Sequence, residues 1–366
     1  MTDLERAIIK TVSFFDIFSY PLTASEIFKW LYKPQQKYSL SDIRNTLKTS
    51  KILKKELAIK EGFYHLKGRN YIHLRRKQNN NLAERKFRKL IYLAKVYRFI
   101  PFIRMVAVCN SLGYSNANEK SDIDLFIISR RGTIWLARFF STLIVKFSGM
   151  RPKEDNKKDT FCLSFFVDEK FLDIETSMMN SKDIYYPYWV SNLIPVYNPD
   201  GLYENFLEAN KWHKRYLPNT YPNQFSKEVK ANNFSKFFGI LASFIFNPPI
   251  IKRWLYNWYR SLQVRIIDKN LKALINIDTR VIVSERMLKF YSNDNRELFA
   301  RKWRERTHRI LDKYKNTHVV CFINKKTAES FLEHDPYKLY SIYNTDDDIQ
   351  KNIKNEVINM YGGSIY

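Results

Sequence analysis

The sequence predicts an α+β protein: an N-terminal winged helix-turn-helix, a central mixed sheet with flanking helices, and a helical C-terminal region. Three observations predict it. Apolar residues at helical spacing recur three times in the first 55 residues, and a short alternating stretch follows them. Between residues 104 and 167 the pattern reads strand, turn, strand, helix, strand. From about residue 183 the chain reads as mostly helical and aromatic. At 366 residues it is longer than one ordinary domain needs. The expected parts are a winged helix at 1–75, a linking helix at 76–100, a sheet core at 101–182 and a mostly helical region at 183–366.

Each element has a local reason. Residues 4–18 carry apolar side chains at helical spacing. In "YPLTASEIFKWLY", Thr23 precedes Glu26 by three, the signature of a capping box opening a second helix. In "SLSDIRNTLKTSKIL", Ser39 or Ser41 can cap a third helix carrying Ile43, Leu47 and Ile52. "KKELAIKEGFYHLKG" alternates apolar and polar around Glu61-Gly62, a hairpin signal. Residues 82–99 read as a helix ended by Pro101. "RMVAV" (104–108), "IDLFIIS" (123–129) and "TFCLSFFV" (160–167) read as strands, and residues 133–149 as an apolar helix.

Charge narrows the partners. The chain has 62 Lys+Arg against 37 Asp+Glu, a net charge of +25, and residues 1–100 alone hold 22 Lys+Arg against 8 Asp+Glu. Such an excess suits a polyanion, either nucleic acid or an acidic membrane surface, or else it solvates the surface of a lysine-rich protein. Lys48, Lys51, Lys54 and Lys55 on the third helix could meet nucleic-acid phosphates, or the winged helix could serve only to dock a protein. Three distant cysteines, Cys109, Cys162 and Cys321, point to a reducing compartment. Six scattered histidines give no zinc pattern. The opening "MTDLERAIIK" is charged at once, unlike a secretory leader, so a cytoplasmic protein is expected. "FFGILASFIFNPPII" (237–251) is too short to span a bilayer, and Pro248 and Pro249 break it. It reads as a buried helix and turn, with a membrane-surface helix as the other reading because "KRWLYNWYR" follows.

The chemistry lies in "NSLGYSNANEKSDIDLFII". Residues two apart on a strand share a face, so Asp122 and Asp124 point together while Ile123 and Leu125 point into the core. Two carboxylates on one face repel unless a cation lies between them. Hard oxygen ligands suit Mg²⁺, which keeps water and substrate phosphate in its shell. The Asn110–Ser111 turn upstream would offer backbone N–H groups and a hydroxyl to a triphosphate.

This stretch resembles the nucleotidyltransferase signature of the DNA polymerase beta superfamily: Gly-Ser, a spacer of about ten residues, then Asp-apolar-Asp on a strand. The resemblance covers about residues 105–170. It implies metal-dependent transfer of a nucleoside monophosphate from an NTP such as ATP to an acceptor, with Mg²⁺ or Mn²⁺ as cofactor. It also implies that Asp122 and Asp124 are catalytic metal ligands and that Asn110 and Ser111 lie in the nucleotide-binding turn. Two positions depart from the signature. Asn110 stands where the glycine is usual; Asn tolerates positive φ better than most residues. The third carboxylate is not evident: alternation puts Cys162, Ser164 and Phe166 on one face, Asp159 and Asp168 flank the strand, and Ser164 can occupy the position. The alternative is therefore a catalytically weakened protein of this fold that binds nucleic acid or a partner. A third reading makes the acid pair a solvated strand entry.

Elsewhere, Arg138 could reach a phosphate but reads more readily as an ion-pair partner, and Trp135 reads as core. Residues 211–215, "KWHKR", and 303–309, "WRERTHR", are basic-aromatic patches that could stack on nucleic acid or snorkel on a helix surface. Asn293 or Asp294 can cap the helix that follows, and Asp346–Asp348 carry no evident chemistry.

Overall fold

The computed structural model describes residues 1–69, 71–152, 158–246, 248–266, 269–291 and 294–314, with the short stretches 318–319 and 340–341. Asn293, Cys321 and Asp346–Asp348 lie outside the described residues. Thr2–Thr307 forms one compact unit, and Met1 with His308–Tyr366 forms another.

The N-terminal elements form where caps and turns dictate. Helices α1 (Asp3–Ile17), α2 (Ala24–Lys29) and α3 (Leu40–Thr49) each start in a capping box, at Thr2 with Glu5, Thr23 with Glu26 and Ser39 with Asp42. The third predicted helix is two. Ser50 leaves the helical backbone and caps α4 (Lys51–Glu56) by accepting the Leu53 N–H at 3.0 Å, while its own hydroxyl donates to Glu5 at 2.6 Å. Strands β1 (Leu57–Lys60) and β2 (Phe63–Leu66) pair antiparallel through the two-residue turn Glu61-Gly62, with φ of 50° and 79°. Positive φ at both turn residues matches the twist of the strands, and glycine supplies it at the second position without a steric penalty. Helix α5 (Ile72–Tyr97) begins ten residues before the predicted start. Aromatic contacts seat the N-terminal elements on the rest: Phe14 of α1 stacks on Tyr188 with ring centres 3.9 Å apart.

The centre is a mixed six-stranded sheet. Its first half is β3 (Ile103–Val108), the single-turn α6 (Asn110–Gly113), β4 (Ile123–Ser129), α7 (Ile134–Phe147) and β5 (Phe161–Asp168). Then come α8 (Tyr185–Ser191), β6 (Ile194–Tyr197) and α9 (Leu202–Ala209). Beyond them lie α10 (Asn233–Phe246), α11 (Pro249–Ile266), α12 (Lys269–Lys272), β7 (Val281–Val283), β8 (Met287–Phe290) and α13 (Arg296–Leu311). Strand order is β6-β3-β4-β5-β8-β7; β4 and β5 are parallel, and the other neighbours antiparallel. In the other unit, β9 (His318–Val319) and β10 (Tyr340–Ser341) pair in parallel.

The sheet separates two apolar cores. One face packs against α5, α7 and Tyr259 of α11, through Leu90, Tyr97, Trp135 and Val145. The other packs against α8, α9 and Trp212, through Tyr186, Trp189 and Phe206. Among the described residues the region after 183 is mostly helical, but it also supplies three of the six strands. "IPVY" was hidden by its proline, which β6 tolerates as an outermost strand. The 237–251 stretch is not a buried helix: it divides between α10 and α11 and exposes large apolar side chains, with Phe244 at 80% and Ile250 at 84%. No described helix is long and apolar enough to cross a membrane.

Candidate active site

The acid pair lies where strand alternation puts it. Ile123, Leu125 and Ile127 enter the core beneath α5 and α7, while Phe126 and Ile128 enter the opposite one. Asp122 and Asp124 share the face of Phe126, at the open end of β4, and both are half-buried. The β3–β4 register pairs Val108 with Leu125, and the Cys109 N–H donates to the Asp124 carbonyl oxygen at 3.1 Å. The Asn110–Gly113 turn therefore begins beside the acids.

Asn110 adopts φ of 54°, in the left-handed region that Asn tolerates better than most residues. Its side chain accepts the Tyr185 hydroxyl at Oδ1, at 3.0 Å. The Ser111 carbonyl oxygen accepts the Asn116 N–H at 2.9 Å. Asn116 in turn accepts from Asn79 of α5 at 2.7 Å and donates to the Phe18 carbonyl oxygen at 3.0 Å. Helices from two distant parts of the chain thus fix the loop. Gly113 is needed for another reason: a Cβ there would lie 2.5 Å from the Asn192 amide and 2.8 Å from its backbone oxygen. Gly113→Ala is expected to cost about 1–3 kcal/mol through overpacking, read by denaturant unfolding.

A cysteine lies beside the acid pair. Strands β4 and β5 pair Asp124 with Cys162, and ligand atoms of Asp122, Asp124 and Cys162 all lie within 4.8 Å of one another. Burial and the Asp124 carboxylate push the Cys162 thiol well above its ordinary range. The thiol donates to Ser164 Oγ at 3.3 Å, and Ser164 is buried behind it. A β-bulge follows: Asp124 pairs with Cys162, but Phe126 pairs with Phe165. The extra residue shifts the alternation, so Phe165 rather than Phe166 joins the acid face. Alternation puts Cys162 on one face with Ser164, and the β4–β5 register sets that face against Asp124.

Neither flanking acid joins the pair. Asp159 is a structural anion. Lys86 and Lys89 of α5 approach its two oxygens at 3.0 and 2.9 Å, and Arg85 lies at 3.6 Å. Burial alone would raise the Asp159 carboxyl, but the Lys89 and Lys86 ammonium groups hold it below its ordinary range. Lys86 is fully buried and also donates to the Ser121 carbonyl oxygen at 2.5 Å, which anchors the residue before Asp122. Asp168 ends β5 opposite Ser129, six residues or about 20 Å along the strand from Cys162. There its oxygens accept the Gly132 and Lys170 N–H groups at 2.6 and 2.9 Å.

The other candidates are structural. Trp135 is core. Arg138 donates to the Leu163 carbonyl oxygen and lies over the Phe290 ring at 4.3 Å, rather than over a phosphate-binding turn. Trp212 and His213 are buried, and Lys211 and Arg215 pair with Glu208 and Glu175, so this patch offers no stacking platform. Trp303 donates to the Lys10 carbonyl oxygen at 2.9 Å, and Arg306 pairs with Asp16 at 2.9 Å. Asp294 accepts the Arg296 N–H at 3.0 Å and opens α13. Compared with known proteins, the chain matches no protein-family model, no curated protein and no solved structure.

Proposed function

We propose that the chain is a metal-dependent nucleotidyltransferase of the polymerase-beta type, moving a nucleoside monophosphate from an NTP to an acceptor and releasing pyrophosphate. The observation that carries this reading is the convergence of Asp122, Asp124 and Cys162 within 4.8 Å, beside the Asn110–Ser111 turn. The donor set fits a divalent ion. Two carboxylates on one face supply hard oxygen ligands, and the neutral thiol adds no competing charge. Asp122 and Asp124 would hold Mg²⁺ or Mn²⁺, which when bound offsets the charge on the phosphate oxygens. Ser111 and the adjacent backbone would bind the triphosphate, next to Asn110, whose side chain is tied to Tyr185. The acceptor oxygen attacks the α-phosphorus in line with the departing pyrophosphate.

α-Labelled NTP tests the proposal. Mg²⁺-dependent release of pyrophosphate by the wild type, lost with a chelator, is the expected result. Absence of turnover across nucleotide and hydroxyl acceptors would contradict it.

The thiol in the third position favours the second reading, a catalytically weakened member of this fold. Cys162→Asp separates the two. It should raise turnover several-fold if the missing carboxylate limits a weak enzyme, and lower it if the wild-type site is already complete.

We also propose that α1–α4 with the β1–β2 hairpin form a winged helix that contacts nucleic acid. Lys48, Lys51, Lys54 and Lys55 are all exposed on α3 and α4. Binding to duplex or single strands should fall steeply with salt, and Lys51→Glu/Lys54→Glu should flatten that slope by about two phosphate contacts. A salt-independent affinity would remove nucleic acid as the partner.

A further inference from the structure

Strand β8 turns Met287 into the same core as Phe126 and Phe165, so Lys289, two residues on, faces the acid side of the sheet. Lys289 is 3% exposed, and its ammonium has no hydrogen-bond partner among the described residues. It lies 5.5 Å from the Tyr186 ring and 5.7 Å from the Phe165 ring. The nearby carboxylates are already taken: Arg296 bonds Asp183 at 3.0 Å and Asp294 at 2.6 Å. Burial and the Arg296 charge lower the Lys289 pKa to about 7. A buried cation without a partner is costly, and aliphatic side chains would fill the same place without that cost.

The ammonium borders a cavity of about 230 Å³ whose lining includes Asn110, Phe165, Tyr186 and Trp189, and also the paired Asp294 and Arg296. The rings of Tyr186 and Trp189 lie 7° from parallel, and those of Phe165 and Trp189 lie 23° from parallel. These rings pack on one another, with centres 5.7 and 5.2 Å apart, so they wall the cavity rather than open a slot between them, and its volume suits one small ring system rather than a drug-sized molecule. Asn110 belongs both to this cavity and to the turn beside the acid pair.

We propose that this cavity holds the base of the transferred nucleotide and that Lys289 meets its pyrimidine C4 or purine C6 substituent, selecting uracil and guanine, which carry a keto oxygen there, over cytosine and adenine, which carry an amino group there. The inference rests on the nucleotidyltransferase reading. As an ammonium, the form that prevails at pH 6 where the titrations are run, lysine donates and never accepts, so a keto oxygen at that position satisfies it and an amino group there does not.

Calorimetric titration at pH 6 with UTP, GTP, CTP and ATP in Mg²⁺ tests this in the wild type, Lys289→Met and Lys289→Gln. UTP and GTP are expected to bind about tenfold more tightly than CTP and ATP in the wild type. That preference should vanish in both variants, because methionine offers no donor and glutamine offers both a donor and an acceptor. Lys289→Met should melt no lower than wild type, as expected of a residue kept for binding rather than stability. If Lys289→Met fails to fold, Lys289→Gln carries the test. NTP binding with no base preference, or with the same preference in the variants, overturns the base-selecting role alone. No binding of any NTP overturns the nucleotidyltransferase reading with it.

A second inference comes from the exposed helices. Phe237, Ile240 and Phe244 on α10 and Ile250, Trp254 and Trp258 on α11 recur at helical spacing, with exposures of 60, 62, 80, 84, 64 and 45%. Residues 233–266 contain no Asp or Glu, while Lys236, Arg253, Arg260 and Arg265 are exposed among them. We infer that α10 and α11 lie on an anionic lipid surface, with the rings in the acyl boundary and the basic side chains at the headgroups. Co-sedimentation with phosphatidylglycerol-containing vesicles should capture the protein, and pure phosphatidylcholine vesicles should capture about tenfold less. Phe244→Glu/Trp254→Glu should abolish capture. The inference is overturned by no capture, or by a wild-type dimer that this double variant makes monomeric, which would show a second copy on the patch.

Discussion

Asp124→Asn is expected to lower nucleotide transfer by about 10²–10³-fold, the usual cost of removing one group that stabilises charge at a reacting centre. The substitution keeps the shape of the side chain and removes its charge. Asp124 is one of the two carboxylates that converge with Cys162, so the change falls on the donor set itself. The fold should not suffer. Asp124 is half-buried on the same face as Asp122, and neutralising one member relieves repulsion between like charges. A melting temperature equal to or above wild type, with turnover lost, identifies a group kept for function at a cost to stability. A fall in both together would mark Asp124 as structural and return the pair to a solvated strand entry. The assay is pyrophosphate release in Mg²⁺, run beside a thermal melt.

The opposite pattern is expected at Lys86. Lys86→Met should destabilise the protein by about 3–5 kcal/mol, because it removes one member of a buried ion cluster and leaves the other charge less compensated. Lys86 is fully buried, 3.0 Å from Asp159 Oδ1, and donates to the Ser121 carbonyl oxygen. Lys89 and Arg85 remain near Asp159, so the lower end of the range is expected. Loss of the Ser121 contact should also loosen the loop before Asp122 and weaken metal binding without touching a ligand. Asp159 adds a pH signature. Its folded carboxyl is held below the ordinary range by the Lys89 and Lys86 ammonium groups, against the opposing effect of burial. Its stabilising contribution is thus present above the unfolded-state value of about 4 and is lost as pH falls through the lower folded value. Asp159→Asn should remove that part of the acid dependence, measured as unfolding free energy between pH 6 and pH 3.

Local chemistry made much of the fold legible. Capping boxes at Thr23 and Ser39, the Glu61-Gly62 hairpin and the alternation of 123–129 all read directly from residue type and spacing. What escaped depends on partners distant in sequence. β7 and β8 are three and four residues long, and their place in the sheet comes from β8 pairing with β5, more than 110 residues upstream, and β7 pairing with β8. A short strand of that kind carries too few alternations to declare itself. Ser50 looked like an interior helical residue until its bond to Glu5 of α1 gave it a reason to break the helix. In the site, the shared face of Asp122 and Asp124 followed from strand alternation, and the positive φ of Asn110 from its resemblance to a glycine-bearing turn. The bulge that turns Phe165 toward the acids, and the cluster that removes Asp159 from consideration, follow from the contacts of β5 and α5. Lys289 is the furthest from legibility: it reads as one more lysine in a lysine-rich chain until the sheet buries it beside Trp189.

The central claim is that Asp122 and Asp124 together hold a divalent ion against a triphosphate. Mn²⁺ titration followed by electron paramagnetic resonance, with and without a non-hydrolysable NTP, tests it most directly. The wild type should bind Mn²⁺ more tightly when the nucleotide is present, and Asp122→Asn/Asp124→Asn should lose both the ion and the enhancement while remaining folded. Equal Mn²⁺ binding by the wild type and the double variant, with or without nucleotide, would contradict the account.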